Sequence, residues 1–204
     1  MDAYKLVKFH KKKKFLNNHL DNYLFHPSKI IISKPIFLEI GFGMGHNLLH
    51  TASNNKNNLI IGVDPFLNGV VSVIEKCVQD KINNILIYPH PVEFFFEKFK
   101  KIFFEKIFIL FPDPWPKKKH YKRRLFKNKF IITLLERLNA GGKIYFATDN
   151  QSYYNQALEE LEIVKQTIAI NIEKLDNNEL VLTKYFKRAK KLGNNVNFFV
   201  IVKL

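Results

Sequence analysis

Cysteine is nearly absent from this 204-residue chain, Cys77 being the only one. A disulfide framework within the chain and any multi-cysteine zinc site are therefore excluded. Glycine and proline, eight of each, are too few for a collagen-like or low-complexity architecture. No apolar run approaches the ~18 residues that would span a bilayer, so no membrane protein is expected. Arginine occurs only at 123, 124, 137 and 188. Acidic residues are scarce as well, 18 against 33 Lys+Arg. The segment Met1–Lys14 is basic, but residues 15–27 (FLNNHLDNYLFHP) hold no continuous apolar stretch and no small-residue cleavage site, which argues against a signal peptide. It also lacks the Arg and Ser of a mitochondrial transit peptide. A cytoplasmic location is expected. The seven His show no metal-ligand spacing, and no metal is expected.

What is present is an apolar fraction of 47%, enough to bury a real core, and a formal net charge of +15. The length suits one domain of ordinary size, 35–204, behind a basic N-terminal extension, 1–34. A surplus of positive charge attracts nucleic acid or an anionic membrane. Almost all of it is Lys, alongside abundant Asn, Ile and Phe, a pattern that coding-sequence composition also produces. Placement of the charge therefore decides what it means.

After Ser33-Lys34-Pro35 a rhythm begins. Short apolar runs at 36–40 (IFLEI), 59–63 (LIIGV), 85–88, 106–111 (KIFILF) and 143–147 read as strands. Helical spacing follows them at 46–53, 68–80, 92–101, 126–138 and 152–162, with another short helix at 19–24. Gly141-Gly142 reads as the terminator of the helix 126–138. Two late strands are expected near 163–172 and 197–202 as an antiparallel pair at one edge. Alternating strands and helices imply an α/β, Rossmann-like sheet, mostly parallel with an antiparallel C-terminal strand and helices on both faces. Cys77 and the Phe at 94, 95, 96 and 99 read as core residues.

Four features then carry chemistry. Gly41, Gly43 and Gly45 follow the first strand and let the backbone turn tightly against a ligand. The spacing is not the dinucleotide fingerprint, because His46 stands at its sixth position and Glu39 lies inside the strand. Asp64 ends the second strand, where an acid accepts from the two hydroxyls of a ribose. Together they argue for an adenosine-containing cofactor. After the fourth strand, Phe111-Pro112-Asp113-Pro114-Trp115-Pro116 holds a carboxylate between two prolines, with the sole Trp offering a stacking face for a base. The stretch from Lys117 to Arg124, continuing to Lys127 and Lys129, is basic, interleaved with His120 and Tyr121, and contains no acid. Such a stretch suits nucleic-acid contacts.

LEIGFGMG, FPDPWPKKKHYKRR, ATDN and TKYFKRA, in this order, resemble the bacterial tRNA (guanine-N7)-methyltransferases from about residue 36 to the last. The resemblance implies a class I methyltransferase that uses S-adenosyl-L-methionine and modifies the variable-loop guanine of tRNA, position 46 in tRNA numbering. It implies cofactor-binding places for Glu39, Asp64 and Asp113 beside Gly41 and Gly43, and a catalytic place for Asp113. Lys117, Asp149, Thr183, Lys184 and Tyr185 take substrate-binding places. Two positions depart from the family pattern. His90 stands where an acid meets the adenine region, and Phe186 stands for the Glu of T-K-[FY]-E. Two other readings remain open: a methyltransferase for another nucleophile, such as an exocyclic base amine, and a non-catalytic RNA-binding relative. tRNA is the expected partner, and a monomer and a homodimer are equally compatible with the sequence.

Overall fold

The computed structural model describes residues 13–30, 34–173, 186, 191, 193 and 195–204. The chain divides into two compact units, Met1–Ile102 and Phe103–Leu204.

The first unit carries three parallel strands. β1 (Ile36–Ile40) pairs with β2 (Leu59–Val63), and β2 pairs with β3 (Ile85–Tyr88). All five residues of β2 are buried, which is why an unbroken apolar run forms this strand. Among the described residues four α-helices accompany them: α1 (Lys13–Tyr23), α2 (His46–Asn54), α3 (Leu67–Asp80) and α4 (Val92–Lys98). α3 buries Val70, Val71, Val73, Ile74 and Cys77, a stripe at helical spacing. Burial pushes the Cys77 thiol up to about 12, so it is an inert core residue. Phe95 and Phe96 are buried as expected, whereas Phe94 is exposed. Phe95, Phe99, Phe25 and Tyr88 form one aromatic cluster.

α1 begins six residues earlier than the expected start at His19. Lysines are good helix formers, and Leu16 and Leu20, four apart, both bury fully. The chain beyond α1 is tied down as well. The Tyr23 hydroxyl donates to the Ile82 carbonyl at 3.2 Å, and the Phe25 amide donates to Ile87 at 2.8 Å.

The second unit carries β4 (Phe104–Leu110), β5 (Leu138–Thr148), β6 (Ile170–Glu173) and β7 (Asn197–Lys203), in the order β4-β5-β7-β6. β4 and β5 are parallel, and β7 runs antiparallel to both β5 and β6. The mostly parallel arrangement with a reversed C-terminal strand matches the expectation. Two of its helices are α5 (Asn128–Glu136) and α6 (Gln151–Lys165). Phe126, Phe146, Tyr153 and Phe199 are buried against one another.

Two expectations are corrected here. Gly141-Gly142 does not stop α5, which ends at Glu136; both glycines lie inside β5. The helix is capped at Arg137, whose amide donates to the Leu134 and Leu135 carbonyls, and the Lys203 ammonium adds bonds to the carbonyls of Leu135 and of Leu138, the first residue of β5, at 2.9 and 2.8 Å. The glycines serve a register shift between Phe104 and Lys106, where residues 139–142 of β5 stand against Glu105 alone. Gly141 adopts φ +74° there. The late strand near 163–172 starts only at Ile170, because 163–165 continue α6, in which Val164 is buried.

Candidate active-site loops

In the first unit the loop after β1 is left-handed at Gly41, Gly43 and Gly45, with φ of 72°, 53° and 78°. Only glycine adopts this backbone without strain. Asp64, buried at the end of β2, holds the loop: its Oδ2 accepts the Gly43 amide at 2.7 Å and its Oδ1 accepts the Phe66 amide at 2.8 Å. α3 braces the loop from the other side. A Cβ on Gly69 would lie 1.9 Å from the Gly43 carbonyl oxygen, so no side chain fits there. Sequence reasoning missed Gly69. Its signal was an unexplained glycine in the first turn of a helix.

Glu39 is buried in β1, and its Oε2 accepts from the Asn47 amide nitrogen at 3.0 Å. Burial pushes this carboxyl up to about 8; the Asn47 bond opposes the shift and the nearby Asp64 charge adds to it. A buried acid of this kind is poised to ionise when a cationic group arrives beside it. Asn47, eight residues beyond Glu39 on α2, was not foreseen. His90 lies just past β3. Its amide and that of Asp64 both donate to the Tyr88 carbonyl, at 3.0 and 3.2 Å, so the backbones of His90 and Asp64 share one acceptor. Glu39, Gly41, Gly43, Asp64 and His90 thus all sit at the same ends of three adjacent strands.

In the second unit the loop after β4 is left-handed at Phe111 and Trp115, φ 54° and 43°, although neither is glycine. Such backbone in bulky residues clusters where function requires a fixed geometry. Asp113, between them, is exposed. The Phe111 amide donates to the Ala147 carbonyl at 2.7 Å. Trp115, expected to offer a stacking face, has the Arg123 guanidinium over its ring at 4.8 Å and His120 edge-on at 5.8 Å. Lys117 caps a 3-10 turn, Lys118–Arg123, and Lys117, Lys118 and Lys119 are all exposed.

The basic stretch is not uniform. Arg124 is buried, at 2% exposure, and turns inward. The Tyr121 hydroxyl pairs with Ser152 Oγ at 2.7 Å, and this bond, with the nearby Arg124 charge, draws the phenol below its ordinary range. Asp149 is half-buried at the end of β5, immediately before Asn150, whose side chain accepts the Tyr153 amide at the start of α6. Thr183, Lys184 and Tyr185 lie outside the described residues. Phe186 is buried, a setting in which the family's Glu would need a partner for its charge. Among the described residues, no group of three or more His, Cys, Asp or Glu is placed to hold a metal ion.

Residues 33–199 match the family model described as "Putative methyltransferase". The chain is 35% identical over 197 residues to the "Bifunctional methyltransferase" of Rickettsia felis, covering 94% of this chain and 37% of that protein. It thus spans little more than a third of the length of the relatives that bear this name. It is 37% identical over 174 residues to the "tRNA (guanine-N(7)-)-methyltransferase" of Wolbachia pipientis wMel, covering 85% of this chain and 77% of that one. In structure it is similar to a methyltransferase homolog from Pyrococcus horikoshii, with TM-score 0.65 and 14% identity over 84% of this chain and 63% of that one. The last likeness is one of fold.

Proposed function

We propose, because this chain belongs to the tRNA (guanine-N7)-methyltransferase family, that it transfers a methyl group from S-adenosyl-L-methionine to N7 of a guanine in tRNA. The observation that carries the reading is the glycine loop locked by Asp64 beside the buried acid Glu39. That arrangement fits the cofactor. Gly41, Gly43 and Gly45 carry no side chains to exclude a ligand, and the open space around a Cβ built on Gly41 leaves room for one. A carboxyl held near neutrality by burial suits a ligand that carries ammonium and sulfonium charges. Asp64 is assigned the ribose hydroxyls, and His90 the adenine region, where a neutral imidazole still hydrogen-bonds.

The cofactor supplies an electrophilic methyl group. Guanine N7 carries a lone pair and no proton, so this chain needs no general base and works by alignment. As N7 takes the methyl carbon, the guanine becomes cationic. The Asp113 carboxylate is assigned to orient the base and stabilise that charge. Asp149 is assigned the N1–H and N2–H₂ donors of the guanine edge. Lys117 and its neighbours are assigned the phosphates. We place the reaction in the cytoplasm, with tRNA as the partner.

The test is direct. The protein is incubated with labelled S-adenosyl-L-methionine and unmodified tRNA, and the product nucleoside is identified. 7-Methylguanosine is expected, and Asp113→Ala should abolish it while leaving the unfolding temperature unchanged, because the exposed carboxylate carries little packing. Another methylated base would redirect the reading to an exocyclic amine. No product would leave an RNA-binding relative.

A further inference from the structure

Arg124 is the only buried residue among positions 117–124, in a stretch whose charge otherwise faces solvent. A guanidinium withdrawn from water is tolerated only when its donors are paired. Here they are. Nε donates to the Pro114 carbonyl at 2.8 Å. Nη1 donates to the Ser152 carbonyl and to Gln156 Oε1, at 3.2 and 2.8 Å, and Nη2 donates to Ser152 Oγ at 3.2 Å. The guanidinium also lies over the Tyr121 ring at 3.6 Å and faces the Tyr153 ring at 4.8 Å. Held between two rings and four acceptors, it is built as a fixed internal brace.

What it braces is the loop that most needs one. Residues 111–116 contain two left-handed positions that are not glycine, and Pro112 and Pro114 have no N–H with which to hold the turn. One end is pinned by the Phe111 amide on Ala147. At the other end, the carbonyl that follows Asp113 directly in sequence is held by Arg124.

We propose that Arg124 is a positioning residue: through the Pro114 carbonyl it ties the strained Phe111–Trp115 loop to the start of α6, and so fixes the Asp113 carboxylate in its working place. The assignment rests on the role given to Asp113 above. It separates two functions within one basic stretch: the lysines face outward and Arg124 shapes the loop.

The test compares Arg124→Lys, Ser152→Ala and Asp113→Asn in the full chain. Three quantities are measured: the single-turnover rate at saturating cofactor and tRNA, tRNA affinity by filter binding, and acrylamide quenching of Trp115, the only tryptophan. Lys keeps the charge but cannot reproduce the guanidinium fork. Arg124→Lys should lower the rate by about 100-fold, the scale set by a small misplacement of a reacting group. It should leave tRNA affinity unchanged and make Trp115 more quenchable. Ser152→Ala should show the same pattern more weakly, and it carries the test if the Lys variant does not fold. Asp113→Asn should slow the reaction without altering quenching, and the double variant should be no slower than the slower single one. A wild-type rate in Arg124→Lys beside a slow Asp113→Asn overturns the proposal and leaves the Asp113 role standing. Lost tRNA affinity at an unchanged rate overturns it too, by making Arg124 an RNA contact. A wild-type rate in Asp113→Asn removes the Asp113 role itself, and with it the purpose assigned to the brace.

Discussion

The loops after β1 and β4 perform the same task by opposite means. Each turns the chain sharply at the end of a parallel strand, and each does so with left-handed backbone. The β1 loop uses glycine at all three such positions, while the β4 loop uses Phe111 and Trp115. For an L-residue this conformation costs about 1–2 kcal/mol, and for glycine almost nothing. The first loop's left-handed turns are therefore written in its own residues, and Asp64 only fastens a shape that costs little to adopt. The second loop's shape is imposed by ties to Ala147 and Arg124. The associated acids differ in parallel: Glu39 is buried and Asp113 is exposed.

The largest expected effect tests that difference between the acids. The folded Glu39 carboxyl keeps its proton up to about pH 8, whereas the ordinary value is 4.5. Between those values the native state binds more protons than the unfolded state, so wild-type stability should fall as pH rises through that window. Below it both states are protonated and the penalty vanishes. Across the window the loss is on the order of 5 kcal/mol, at about 1.4 kcal/mol for each pH unit. Glu39→Gln keeps an acceptor for Asn47 but cannot ionise, so it should remove this slope and melt above the wild type at pH 8. Parallel melting curves of variant and wild type from pH 5 to 8 would show that Glu39 is not the buried acid described here.

Gly69→Ala should come next. Its Cβ would meet the Gly43 carbonyl, a backbone atom that cannot rotate aside. Overpacking of this kind costs about 1–3 kcal/mol. The variant should lose thermal stability and also bind S-adenosylhomocysteine more weakly by calorimetry, since the displaced backbone is the glycine loop itself. Unchanged affinity would separate α3 from the shape of that loop.

How much of this was legible in the sequence follows from the same contrast. The bounds of β1, β2 and β3 coincide with the apolar runs, because strands buried on both faces are apolar almost throughout, Glu39 in β1 being the exception. The glycine loop and Asp64 were legible because the residue types themselves encode the geometry. The role of Arg124 was not. In sequence it is one more cation in a basic stretch, and its inward turn depends on Ser152, Tyr153 and Gln156, about thirty residues away. The end of α5 was misread for the same reason, since the side chain that reaches a carbonyl of its last turn, Lys203, lies 68 residues beyond Leu135.

The smallest expected effect isolates strain from function. Among the described residues, Lys81 is the third non-glycine residue with left-handed backbone, φ 54°, and it sits at the C-terminal cap of α3. Its amide bonds to the Cys77 carbonyl, which glycine would preserve. Here the left-handed turn merely ends a helix, where glycine is the usual choice. Lys81→Gly should therefore raise stability by about 0.5–1 kcal/mol, the steric relief exceeding the entropy that glycine loses on folding. Methyl-transfer rate should not change. Trp115→Gly, by contrast, relieves the same kind of strain but removes the ring over which Arg123 lies. If Lys81→Gly slowed the reaction as well, left-handed backbone in this chain would not distinguish a loop held for chemistry from a helix end held by habit of the fold.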